Sequence, residues 1–155
     1  MKLFRTMLIT GALLTAAGAQ AAMNKIEGLP IKLGDSIPQV QTAFSVDIDP
    51  TPLTSDDPDE EGMLELHLRT RGVWTYFNDD DLVDSIQLDA PFKGSVAGIR
   101  IGDSVAQMNK LLGDPVKKPE KSGETLDYLY YPDDGFAVDY FVNIEGQVES
   151  ILIHK

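Results

Sequence analysis

The segment IKLGDSIPQV, residues 31–40, returns 68 positions later as IRIGDSVAQM, residues 99–108. A chain that writes one decapeptide twice is constrained to use one local structure twice. Two structures compete for Gly-Asp-Ser: the nucleophile motif of a serine hydrolase, or the start of a helix. Each serine is followed three positions later by glutamine, Ser36 by Gln39 and Ser104 by Gln107. Ser-x-x-Gln is a capping box, in which the hydroxyl accepts the third helical amide and the glutamine reaches back to the serine amide. Pro38 falls in the first turn, where its missing N–H costs little. Apolar residues then recur at helical spacing, Ile37, Val40, Ala43 and Phe44 in the first copy and Val105, Met108, Leu111 and Leu112 in the second. Gly113-Asp114-Pro115 closes the second helix.

The catalytic alternative needs a base. Gly-Asp-Ser hydrolases take theirs from a late Asp-x-x-His; here the late histidine is His154, and Ile151 stands three residues before it. The other histidine, His67, lies in a strand-like segment without a counterpart in the second copy. A serine without a positioned base is a poor nucleophile at neutral pH. We therefore assign no catalytic residue and expect no enzyme activity.

After each helix come three strand-like runs: roughly 63–70, 73–77 and 83–88, then 126–131, 136–142 and 148–153. Gly72, Gly135 and Glu145-Gly146 mark turns between them. Tyr76-Phe77 matches Tyr140-Phe141, and Val83-Asp84-Ser85-Ile86 matches Val148-Glu149-Ser150-Ile151. This predicts an α+β fold of two tandem units, each an N-terminal helix packed on a three-stranded antiparallel meander. The units span residues 23–89 and 90–155, and residues 89–98, with Pro91, Gly94 and Gly98, link them.

Residues 1–22 stand apart. Lys2 and Arg5 precede an apolar run from Leu8 to Ala17, and Ala19-Gln20-Ala21 is a small-x-small cleavage site. That is the build of a secretory signal peptide, cleaved after Ala21 or Ala22, and it predicts an exported, periplasmic protein. The chain has no cysteine, hence neither a disulfide framework nor a lipid attachment point. Without Lys2 and Arg5, the 13 basic residues fall to 11 against 25 acidic ones, a net charge of −14. Such a chain repels phosphate backbones and anionic headgroups, which argues against nucleic acid and membrane surfaces as partners. It attracts a basic protein.

The pattern Gly-Asp-Ser, helix, Leu-Gly-Asp-Pro, then Tyr-Tyr, Phe and a closing Val-Glu-Ser-Ile resembles the group that holds the β-lactamase inhibitor proteins and the small outer-membrane assembly lipoproteins. The resemblance covers residues 31–153. It implies a two-layer α+β unit and a protein-binding role without chemistry.

If the recurring parts are scaffold, function lies where the copies differ. Residues 47–62 carry seven carboxylates, among them Asp56, Asp57, Asp59, Glu60 and Glu61, whereas the counterpart at 115–124 is basic. Like charges in a block are solvated or meet a cation. Asp57, Asp59, Glu61 and Gly62 match the opening of an EF-hand loop, but position 12, where the bidentate glutamate belongs, is Leu68. We assign no metal ligand and no cofactor. Trp74 and Tyr76 share one strand face by alternation, as do Tyr128 and Tyr130, and such aromatics anchor interfaces or fill cores. The functional expectation is a periplasmic inhibitor or immunity protein that occludes a basic secreted toxin or lytic enzyme. Acidic residues 56–61 would steer the partner, and the four aromatics would bind it. The alternatives are an envelope assembly or scaffold factor and, third, a calcium-binding protein.

Overall fold

The computed structural model describes residues 26–54, 57–133 and 135–155. The expected signal peptide and cleavage site, residues 1–22, lie outside the described residues. Within them, β1 (Ile26–Glu27) is followed by α1 (Ile37–Phe44), β2 (Thr51–Pro52), β3 (Leu64–Leu68), β4 (Val73–Phe77), β5 (Val83–Asp89) and β6 (Ser95–Val96). Then come α2 (Val105–Leu112), β7 (Glu120–Ser122), β8 (Thr125–Asp133), β9 (Phe136–Val142) and β10 (Val148–His154).

The decapeptides fold alike because each satisfies its own backbone. Lys32 N and Arg100 N donate to Asp35 Oδ2 and Asp103 Oδ2, both at 2.9 Å. Ser36 N and Ser104 N donate to Gln39 Oε1 and Gln107 Oε1, both at 2.8 Å, and both hydroxyls donate to the same oxygens. Each segment is also stitched to a strand: Gly34 N to Val83 O (2.8 Å) and Val83 N to Asp35 O (2.8 Å) in the first copy. The second repeats this with Gly102 N to Val148 O (2.7 Å) and Val148 N to Asp103 O (2.8 Å). The decapeptide is thus a clasp that fixes where a helix starts relative to β5 or β10. The turns before those strands also match. Asn78 Oδ1 accepts the amides of Asp80 and Leu82, and Asn143 Oδ1 those of Glu145 and Gln147, the Asx geometry that makes asparagine a turn residue.

The sheet departs from the expected fold class. The α+β arrangement of two helix-on-meander units is not what forms. Among the described residues strand far exceeds helix, which is confined to two eight-residue α-helices and short 3-10 turns. Eight strands join one antiparallel sheet in the order β2-β3-β4-β5-β10-β9-β8-β7, and β1 and β6 make a separate two-stranded ribbon. The decisive contact is the β5–β10 seam, where Ser150–His154 pairs with Asp89–Ser85. It runs the hydrogen-bond ladder through the place where a unit boundary was expected. Two short strands, β2 and β7, extend the ends, and Pro52 and Lys121 on them blunt the edges against further pairing.

The core lies on one sheet face only. Leu66, Leu68, Val73, Phe77, Ile86, Leu88, Ile151, Ile153, Val138 and Tyr140 pack there with Val40 and Phe44 of α1 and Met108 of α2. A fully buried side chain of this size contributes about 1.5–3 kcal/mol. Tyr140 sends its hydroxyl to Val96 O at 2.8 Å, tying the ribbon to the sheet. Arg71 lies over the Phe44 ring, 5.3 Å from its centroid, and donates to the Phe44 carbonyl at 3.2 Å. Helices and ribbon thus share this face, and the other is left uncovered by any described element.

Candidate functional site

Alternation places every second strand residue on the uncovered face, and the register aligns them in three cross-strand rows. One row is Glu65, Tyr76, Ser85, His154 and Ala137. The middle row is His67, Trp74, Gln87, Leu152, Asp139 and Leu129. The third is Asp89, Ser150, Phe141, Asp127 and Glu120. Neighbours within a row sit one strand spacing apart, about 4.8 Å. These rows carry five carboxylates and neither lysine nor arginine.

At the β3–β4 end the face is aromatic. His67 stacks on Trp74 with ring centroids 3.2 Å apart and planes 15° apart. Burial, and then the charge of Arg69, lower the His67 pKa, with partial opposition from Asp89 and Glu65, so the imidazole stacks in its neutral form at pH 7. Trp74 Nε1 donates to Asp89 Oδ2 at 3.0 Å, and Gln87 Nε2 reaches both oxygens of that carboxylate at 3.2 Å. Tyr76 is half-buried beside them; burial and the neighbouring acids Glu65 and Asp89 push its phenol up to about 12.

At the β8–β9 end the face is acidic. Asp139 is 9% exposed, and its Oδ2 lies 2.7 Å from His154 Nε2. Across the strand pair, Asp127 is pushed up to about 6. Burial is the main cause, followed by the charge of Asp139 and the hydrogen bond that protonated Asp127 gives it; Lys117 opposes them. Buried atoms Asp127 Oδ1 and Ser150 Oγ have no hydrogen-bond partner. Both belong to the third row, on either side of Phe141. An open hollow of about 500 Å3 lies at this row, lined by Gln87, Asp89, Thr125, Phe141, Glu149 and Ser150.

The expected site residues divide. Trp74 and Tyr76 stand on the uncovered face. Tyr128 and Tyr130 are on the opposite one: Tyr128 is paired to core Tyr140, and Tyr130 is 3% exposed with its hydroxyl donating to Gly113 O at 3.2 Å. Asp57 and Glu61 are exposed and Glu60 part-buried, around a single 3-10 turn, Pro58–Glu60. Asp56 and the side chain of Asp59 lie outside the described residues. This loop meets the β4–β5 turn, where Glu61, Met63, Asn78, Asp79, Asp80 and Asp84 line a polar hollow of about 340 Å3. It sits off the end of the strands and outside the three rows. Among the described residues, no three His, Cys, Asp or Glu side chains group closely enough to hold a metal ion.

Sequence reasoning missed Asp89, Asp127, Asp139, Ser150 and His154. A signal for them existed: Asp139 is the lone polar residue in the apolar run FAVDYFV, and that marks which phase of β9 faces away from the core. The two capping serines belong to the helix side of the sheet, whereas both imidazoles sit among the rows of the uncovered face.

In fold the chain is similar to two solved structures. One is a DUF4309 family protein (YjgB) from Bacillus subtilis subsp. subtilis str. 168, at 18% identity and a TM-score of 0.55, over 89% of this chain and 90% of that one. The other is a cysteine-rich secretory protein (SAV1118) from Staphylococcus aureus subsp. aureus Mu50, at 12% identity and a TM-score of 0.57. That match takes in 79% of this chain but 44% of the other, so this chain spans less than half of that protein. Neither is a β-lactamase inhibitor protein or an assembly lipoprotein. At such identities the likeness carries the fold alone. No family model and no curated protein matches the sequence.

Proposed function

We propose that this chain is an exported protein-binding module that lays the uncovered face of its sheet over a basic partner. The most concrete form is a periplasmic inhibitor or immunity protein that occludes the site of a cationic toxin or lytic enzyme without performing chemistry. One observation carries the reading: the face left open by helices and ribbon holds the Trp74–His67 stack and five carboxylates, with no lysine or arginine among its rows. Trp and Tyr bury large area at low entropic cost and keep a polar tip, the profile of an interface anchor. The acid excess raises the encounter rate with a cationic surface, and the loop around Asp57 and Glu61 adds to that field from the rim. The serines support a non-catalytic reading, because their hydroxyls are spent on Gln39 and Gln107 at helix starts.

The test is capture followed by inhibition. The mature chain, from residue 23, is immobilised against extracts of secreted and periplasmic proteins, in parallel with a Trp74→Ala, Tyr76→Ala double variant. The reading predicts a basic protein captured by wild type alone, with its lytic or toxic activity titrated away at one equivalent. Capture that both forms share defeats the assignment of the face. Capture by wild type without loss of the partner's activity defeats occlusion and favours the envelope-scaffold alternative.

A further inference from the structure

The third row contains the least satisfied chemistry on the sheet, and it adjoins a cavity. The hollow of about 500 Å3 falls within the size range of small-ligand pockets, about 300–1,000 Å3. Phe141 lines it together with Asp89 from β5 and Glu149 from the bulge of β10. Ser150 lines it as well, and its Oγ is buried without a hydrogen-bond partner. Leaving a buried hydroxyl unpaired costs about 1–3 kcal/mol. No basic side chain lines the hollow.

Asp89 is already prepared for a ligand. The Trp74 indole and the Gln87 amide hold its carboxylate in place, and its oxygens retain lone pairs beyond those bonds. A fixed carboxylate in a hollow that an aromatic side chain also lines suits a flat cation better than a round one. A guanidinium stacks on the ring while its fork of N–H donors addresses carboxylates in its own plane; an ammonium offers only a point charge.

From this we infer that the hollow between Asp89, Phe141, Glu149 and Ser150 is the seat of an arginine side chain presented by the protein partner. The inference rests on the reading of the uncovered face as a binding surface and sharpens it to one residue type and one pocket. Asp127, on the far side of Phe141 in the same row, adds negative potential to that seat.

The experiment uses the mature chain in isotope-labelled form, titrated with N-acetyl-arginine methylamide and then with its lysine counterpart, at matched ionic strength. Saturable shifts at the amides of Asp89, Phe141 and Ser150 are expected with the arginine probe, and weaker binding with lysine. Glu149→Gln, at an exposed position, should weaken the arginine probe about tenfold, the loss expected for one charge-assisted hydrogen bond. Ser150→Val should weaken it while leaving the lysine response unchanged. Non-saturating shifts, equal response to both probes, or indifference to Glu149→Gln overturns the seat. Affinity for the captured partner separates the two claims. If Trp74→Ala abolishes it and Glu149→Gln and Ser150→Val leave it intact, the arginine seat falls and the binding face stands. If all three leave it intact, both fall.

Discussion

Asp127 is the place where the uncovered face bears a measurable cost. Its carboxyl is held at about 6, chiefly by burial and then by Asp139 beside it, against an ordinary value of ~3.9. The folded chain therefore keeps this proton in a pH range where the unfolded chain has released it. Stability from this group falls as pH rises from about 4 to 6, and the cost is complete above about pH 6.5. At about 1.4 kcal/mol per pH unit the full cost is at most about 3 kcal/mol. Asp127 is only part-buried, and solvent screening brings the figure down to about 1 kcal/mol. Asp127→Asn removes the ionisation and leaves an amide that can donate to Asp139. The variant should be more stable than wild type by about 1 kcal/mol at pH 7.5, with most of that gain gone at pH 4. Urea denaturation at half-unit pH steps measures it, and the difference between the two curves cancels the titrating groups that do not interact with Asp127. Parallel curves across pH 4–7 would refute the coupling between Asp127 and Asp139, and with it the picture of an acidic end held under repulsion.

Three further outcomes test the scaffold. Ser104→Ala removes both the hydroxyl bond to Gln107 Oε1 (2.9 Å) and the acceptor for Gln107 N (3.3 Å); it should cost about 1 kcal/mol in a denaturant titration and leave partner binding unchanged. Gly72→Ala meets a double obstacle, a φ of +65° and a Cβ that would run into the Asp89 carbonyl, so a loss of more than about 2 kcal/mol is expected in the same titration. Tyr140→Phe strips the bond to Val96 O and should lower stability by about 1–3 kcal/mol, with hydrogen exchange accelerated at the β1–β6 ribbon.

The parts legible in the sequence are the local ones. Ser36-x-x-Gln39 and Ser104-x-x-Gln107 declare helix starts because every bond they make closes within three residues. Val73–Phe77 declares a strand because its own side chains alternate between core and face, and Phe136–Val142 because it is a short run rich in β-branched and aromatic residues. The fold class was misjudged at contacts that join distant segments. Nothing in Val83–Asp89 or Val148–His154 states that each is the other's neighbour, since the central position in a sheet is a property of the pair. Thr51–Pro52 and Glu120–Ser122 are too short and too polar to show alternation, so the edge strands were invisible. The aromatics fail in an instructive way. Alternation puts Trp74 with Tyr76 and Tyr128 with Tyr130, but it fixes phase without sign, and the second pair turned inward because Tyr128 pairs with core Tyr140. The carboxylates of the face are scattered over five strands, at 65, 89, 120, 127 and 139, and only the register gathers them.

The central claim is that binding uses the strand face away from the helices. Two lysine substitutions of equal charge test it directly with the captured partner: Gln87→Lys in the middle row and Ala106→Lys on the exposed side of α2. The account predicts a loss of at least about a hundredfold in affinity for the first, the effect of a like charge set inside an interface, and no change for the second. Equal losses, or a loss confined to Ala106→Lys, would contradict it.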